Sequence, residues 1–180
     1  MKPLNVSQCA VIALVIVSLL GCTNVSESSV SPTPATYPDP LAYCEAVNTI
    51  DAPDARYAGP KVPETIAEGL RRVFNTPDTP IEIYMRGTFW RCMNGKVYAC
   101  TVGANLPCEA KANTNRKPTQ SENDFCQQNP DADVIPMVVT GRETVYEWRC
   151  SNGVPEIVRQ FTQPDARGFL SNIWYEITPN

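Results

Sequence analysis

Apolar residues recur at two distinct periods along this chain, and the change of period separates helices from strands. Ile66, Leu70, Val73 and Phe74 stand at i, i+4, i+7 and i+8, which places them on one face of an amphipathic helix. Glu68 precedes Arg72 by four residues, a favourable pair on a helix surface. Gly69, on the inner face, marks close packing against a sheet. Upstream, "DPLAYCEAVN" offers Asp39 as N-cap and Pro40 at the first helical position. Leu41, Cys44 and Val47 then recur at helical spacing and predict a short helix presenting Cys44 inward. The intervening "IDAPDARYAGPKVP" is loop, dense in proline and turn residues. From Ile81 the period becomes two. Ile81, Ile83 and Met85 alternate with Glu82, Tyr84 and Arg86, predicting a half-buried strand.

A six-residue phrase then occurs nearly twice, "WRCMNG" at Trp90–Gly95 and "WRCSNG" at Trp148–Gly153. Asn94-Gly95 and Asn152-Gly153 accept positive φ at both central positions of a type I′ turn, whose twist matches the flanking strands. The phrase therefore predicts two β-hairpins. With two-residue loops the register is fixed: Cys92 faces Val97, and Arg149 faces Glu156 as an opposite-charge pair. Trp90, Cys92, Val97 and Ala99 share one sheet face; Arg91, Tyr98 and Cys100 share the other. A Cys92–Cys100 bridge is disfavoured, because their Cβ vectors point apart. Trp148 and Cys150 likewise share a face. Pro155 makes the last strand of the second hairpin an edge or a bulged strand.

Elsewhere the pattern is weaker. "VGANLPC" is loop, and "EAKANTNRKPTQ" a polar, mobile extension of it. Thr119 with Glu122 has capping-box spacing and opens a helix through Phe125 and Cys126. "VIPMVVT", interrupted by Pro136, reads as an edge strand, and "NIWYEI" (Asn172–Ile177) as a closing strand. "PDAR" occurs at Pro53–Arg56 and Pro164–Arg167, and Pro-Asp five times in all, which suits type I turns. The expected fold is α+β: a small antiparallel sheet of β-hairpins with two or three short helices, stabilised by disulfides.

The composition narrows the chemistry. The 180 residues contain no histidine, which excludes Ser-His-Asp and Cys-His catalysis, imidazole metal ligation and imidazole pH switching. No nucleophile elbow, phosphate loop or dinucleotide fingerprint is present. Acidic residues outnumber basic ones, 19 to 15, without a basic cluster, so nucleic acid is not an expected partner. No cofactor is indicated.

The first residues explain two of the eight cysteines. Lys2 and the free amine precede an uncharged run from Cys9 to Leu20, too short for a span of ~20 apolar residues and suited to a signal peptide. "LLGC", Leu19–Cys22, resembles the lipobox of bacterial lipoproteins. That resemblance implies cleavage after Gly21 and diacylglycerol on the Cys22 thiol. Thr23 in place of aspartate then favours the outer membrane where a host has two. One acyl chain holds weakly and two hold firmly. "TNVSESSVSPTPATYP" follows as a Ser/Thr/Pro-rich tether. The organisation is thus a signal peptide over 1–21, a lipidated cysteine and tether over 22–38, and one globular domain over 39–180. Six cysteines remain: Cys44, Cys92, Cys100, Cys108, Cys126 and Cys150. An even number in an exported domain reads as three disulfides, with ~15 pairings open. No pair has C-x₂₋₄-C spacing for zinc.

Candidate contact residues are few. Trp90, Trp148 and Trp174 offer a stacking surface, but Trp90 and Trp148 share faces with cysteine and belong in a core. Arg91 and Arg149, on the opposite faces, are better placed for contact. "NPDAD" (Asn129–Asp133) lacks the glycine and distal glutamate of a calcium loop, and no metal site is expected. The phrases "WRC" and "GANLPC" also resemble small exported cysteine-containing bacterial proteins, which implies no mechanism. The expected function is a lipid-anchored cell-envelope protein that binds an envelope protein or glycan, or is structural. The alternatives are a histidine-free hydrolase using paired Asp/Glu and an inhibitor presenting "GANLP" as a rigid loop.

Overall fold

Proline and Asn-Gly interrupt the apolar pattern, and the elements begin and end at those interruptions. The computed structural model describes residues 35–102 and 105–179. Gly21, Cys22, the signal segment and the tether as far as residue 34 lie outside the described residues, as do Gly103 and Ala104 of "GANLP".

Helix α1 (Pro40–Val47) is capped by Asp39, whose Oδ1 accepts from the Ala42 amide at 2.8 Å. α2 (Glu64–Val73) buries Ile66, Ala67, Gly69 and Leu70. Gly69 lies against β5 (Tyr175–Ile177), where a Cβ would stand 2.5 Å from Ile177 Cγ2; any side chain there would force the Ile177 side chain to shift. β1 (Thr88–Met93) pairs antiparallel with β2 (Lys96–Thr101), Cys92 opposite Val97. Asn94 and Gly95 adopt φ of 54° and 76°, as the type I′ turn requires. β5 pairs antiparallel with β2, completing a three-stranded sheet. In the second half α4 (Gln120–Gln128) begins at the Thr119–Glu122 capping box. β3 (Tyr146–Ser151) and β4 (Val154–Gln160) form a two-stranded sheet with Arg149 opposite Glu156 and a bulge at Glu147/Trp148. Asn152 and Gly153 repeat the turn, at φ 49° and 80°.

Two apolar cores result, and the three-stranded sheet lies between them. Trp90, Cys92, Val97 and Ala99 join Tyr43, Ile66, Leu70 and Tyr84 in the first. Cys100 from the opposite face joins Val145, Trp148, Phe169, Leu170 and Trp174 in the second, with Phe89 and Tyr98 packed against it. Trp90 and Trp148 are core residues, each 3% exposed. The cysteine of each "WRC" phrase is tied to a helix, Cys44 to Cys92 and Cys126 to Cys150, while Cys100–Cys108 closes the loop after β2. Cys92 and Cys100 take different partners, as their faces require. The chain is an α+β, disulfide-stabilised fold. Its three disulfides point to an oxidising, exported environment. Among the described residues, no helix is long and apolar enough to cross a membrane.

Several expectations need correction. Residues 81–87 form helix α3 (Ile81–Gly87), not a strand. Tyr84, outward in the strand reading, is buried; its ring stacks on Phe74 and its hydroxyl bonds Thr76 Oγ1 at 2.6 Å. Ile83 is 54% exposed. "VIPMVVT" likewise contains helix α5 (Met137–Thr140), entered from Pro136, so the described residues hold five α-helices instead of two or three. Glu68 pairs with Arg71, one residue short of Arg72, which instead reaches the Thr178 carbonyl. "NIWYEI" begins inside a 3₁₀ turn (Ser171–Ile173), and only Tyr175–Ile177 is strand. The "EAKANTNRKPTQ" extension is held in place: Ala112 N donates to Gly168 O, and Asn113 exchanges backbone bonds with Glu143 and Val145.

Candidate functional site

Both "PDAR" phrases are Asx turns. Asp54 Oδ1 accepts from the Arg56 amide at 3.0 Å; Asp165 Oδ1 accepts from the Arg167 amide at 2.8 Å and the Phe169 amide at 3.1 Å. The first turn carries Asp51, Asp54 and Tyr57 to the edge of β1. The second brings Phe169 there from the far end of the chain. Between them opens a cleft of about 620 Å³, whose walls include Tyr57, Phe89, Trp90, Phe169 and Trp174. This volume falls within the ~300–1,000 Å³ of small-ligand sites. Trp90 Nε1 donates to the Lys61 carbonyl at 2.8 Å and fixes one wall.

Charge is distributed unevenly around these rings. Arg91 is completely buried. Its guanidinium packs on the Phe169 and Trp174 rings, 4.4 and 4.2 Å from their centroids where the two rings meet edge to face, and pairs with Asp165. Lys111 Nζ sits 3.4 Å over the Phe169 ring and donates to Asp51 Oδ2 and the Arg167 carbonyl, both at 2.8 Å. Arg167 Nε donates to the other Asp51 oxygen at 2.8 Å. Chiefly through the Arg167 hydrogen bond, with Lys111 adding to it against burial, the Asp51 pKa falls to about 2. Arg56 brings Asp54 to about 2 as well. Both carboxylates are therefore committed anions. Four side-chain groups near the cleft have no hydrogen-bond partner among the described residues: Thr88 Oγ1, Trp174 Nε1, the Tyr57 hydroxyl and the Arg91 Nε/Nη1 edge.

The expected contact arginines part company. Arg91 is not a surface residue, because the second core roofs the sheet face that a lone hairpin would leave open. Arg149 is exposed and engaged with Glu156 at 3.0 Å, the cross-strand pair its register dictates. Of the three tryptophans, Trp90 and Trp174 meet at the cleft, while Trp148 lines a separate cavity with Tyr146 and Met137. In "NPDAD", Asp131 Oδ1 accepts the Asn152 amide at 3.2 Å, bracing the second turn. Among the described residues no three His, Cys, Asp or Glu are gathered to hold a metal. The "GANLP" loop is braced by Cys100–Cys108, but Leu106 packs onto the second core. The cleft itself escapes sequence reasoning. Its walls come from five separate stretches, and the duplicated "PDAR" is its sole local signal.

Fold and site together define an exported α+β protein with a disulfide-braced aromatic cleft. The chain matches no family model, no curated protein and no solved structure.

Proposed function

We propose that this is a lipid-anchored cell-envelope protein that binds a small ligand in the cleft between its two cores. The observation that carries the binding reading is the cleft's chemistry. Aromatic walls edged by charged side chains, Asp51, Asp54, Lys61, Glu109 and Lys111, suit recognition of a ligand with an apolar face and a polar edge. The rim carboxylates Asp51 and Asp54, held as anions near pKa 2, do not suit a hydrolase acid, which needs a raised pKa. The anchoring reading rests on "LLGC" and is supported by the disulfides. Two acyl chains at Cys22 would hold the protein on a membrane, and the tether would display the cleft to envelope glycans or proteins.

Two measurements test this. Cys22→Ala should abolish incorporation of labelled palmitate and release the protein from the membrane fraction; unchanged labelling and fractionation would reject the anchor. A diazirine side chain replacing Ala52, which lines the cleft, should capture a ligand on illumination of intact cells. The same replacement at Val138, 88% exposed on α5, should not. Equal capture at both positions, or none at Ala52, would reject the cleft.

A further inference from the structure

We propose that the ligand class of this cleft is an uncharged saccharide; the inference rests on the binding reading above. The Phe169 and Trp174 faces, which a cationic ligand would need to complete an aromatic box with Tyr57 and Phe89, already hold Arg91 and Lys111. An anionic ligand would need a cation with open donors facing the cleft; Lys111 is committed to Asp51 and the Arg167 carbonyl, and Arg167, which shares Asp51, is not a cleft wall. Lys61 and Glu109, both exposed and lining the cleft, enter no ion pair among the described residues, and their opposite charges cancel. Beside the buried unpartnered groups of Thr88, Tyr57 and Trp174, the exposed rim thus offers one unpaired cation and one unpaired anion, a donor and an acceptor of opposite sign.

The half-buried rings of Tyr57 and Phe89 keep apolar surface beside that rim. A pyranose fits this combination. One face carries C–H bonds that pack on aromatic rings. Its edge carries hydroxyls that donate to a carboxylate and accept from an ammonium, and hydrogen bonds to charged groups are about twice as strong as neutral ones. In the assigned arrangement Phe89 and Tyr57 carry the sugar face, while Glu109 and Lys61 bind its hydroxyls.

The test titrates the full processed chain, disulfides intact, with cellobiose, maltose and N,N′-diacetylchitobiose. Tryptophan fluorescence and amide NMR shifts report binding. Oligogalacturonate, glucosamine disaccharide and a mixed short-peptide pool form the comparison arms. At least one neutral sugar should saturate and shift amides at Phe89, Glu109 and Lys111. Glu109→Gln should weaken it about tenfold, or ~1.4 kcal/mol, with the melting temperature unchanged, and Phe89→Ala at least as much. Glu156→Gln, on the exposed hairpin pair, should change nothing. Saturation by charged sugars or peptides alone would overturn the uncharged-saccharide class while leaving the cleft as a binding site. Neutral-sugar binding indifferent to Glu109→Gln and Phe89→Ala would overturn it, as would no saturation by any neutral sugar. Capture at Ala52 in cells separates that last outcome from failure of the binding reading.

Discussion

Arg91 and Arg149 hold the same place in the two "WRC" phrases, and the fold gives them opposite surroundings. Replacing each with methionine measures that difference. Arg91 and Asp165 side chains are 1% and 9% exposed. Burial pushes the Asp165 pKa up, but the Arg91 hydrogen bond and the Arg167 and Phe169 amides bring it below the ordinary carboxylate value. Removing one partner of such a pair costs ~3–5 kcal/mol. The lost cation–π contacts add up to ~2 kcal/mol, partly offset by methionine's own packing on the rings. Total stabilities are ~5–15 kcal/mol, and each 1 kcal/mol moves Tm by ~2–4 °C at this size. Arg91→Met should therefore lower Tm by roughly 10 °C or more. Arg149 and Glu156 are 53% and 46% exposed; pairs of that kind are worth ~0–1 kcal/mol, so Arg149→Met should move Tm by no more than ~2–4 °C.

The pH dependence supplies a second readout from thermal melts followed by near-ultraviolet circular dichroism. In the native protein the folded Asp165 pKa is depressed. Its contribution is complete above the unfolded value of ~3.9 and is lost as pH falls through the folded one. In Arg91→Met the guanidinium that opposed burial is gone, so Asp165 takes up its proton at higher pH than before. The gap between variant and parent should narrow below pH ~4. Adding Asp165→Asn to Arg91→Met should recover part of the loss at neutral pH. Equal Tm losses for the two methionine variants, or a gap that widens in acid, would refute the buried pair.

The Asp51 clasp has its own acid window: with a folded pKa of about 2, its contribution is present above ~3.9 and disappears as pH falls towards 2. The stability difference between parent and Asp51→Asn should shrink across that interval in urea titrations; a constant difference would count against the Lys111–Arg167 clasp. The disulfides close intervals of 48, 24 and 8 residues, for which loop entropy gives ~4, ~3.5 and ~2.5 kcal/mol. Paired Cys→Ala variants should lose Tm in that order, Cys44/Cys92 most, and a reversed order would show that local packing outweighs chain entropy.

What was legible in the sequence was local. Asn-Gly demands positive φ at two successive positions, so both hairpins and their registers could be read from two residues each. The caps at Asp39 and Thr119 are side chains bonding amides three residues on, equally local. Residues 81–87 misled because a seven-residue stretch with apolar residues at 81, 83 and 85 satisfies a period of two. What decides the matter is Tyr84 seated on Phe74 and bonded to Thr76, a contact within the tertiary structure. Pro80 and Pro136 were the readable clues, since proline sets the N-terminal boundary of both short helices. The disulfide pairing and the cleft were beyond reach for one reason. Each joins segments whose proximity depends on how two cores settle around one sheet.

That settling makes the repeated phrase yield different chemistry each time. In both halves the phrase supplies a type I′ turn and a cysteine tied to a helix. In the second half the hairpin stays two-stranded, and its middle residue, Arg149, faces water. In the first half β5 extends the sheet and the second core covers its outer face, so Arg91 is driven inside, where an unpaired guanidinium is untenable. The second "PDAR" turn meets it with Asp165, and the same turn delivers Phe169, whose ring packs on the cation together with that of Trp174. These two rings are also walls of the cleft. The buried ion pair is therefore what sets the cleft's aromatic side in position, and perturbing Arg91 should disturb ligand capture at Ala52 as well as stability. Perturbing Arg149, in the matching place, should leave capture unchanged and move stability only within the small range given above.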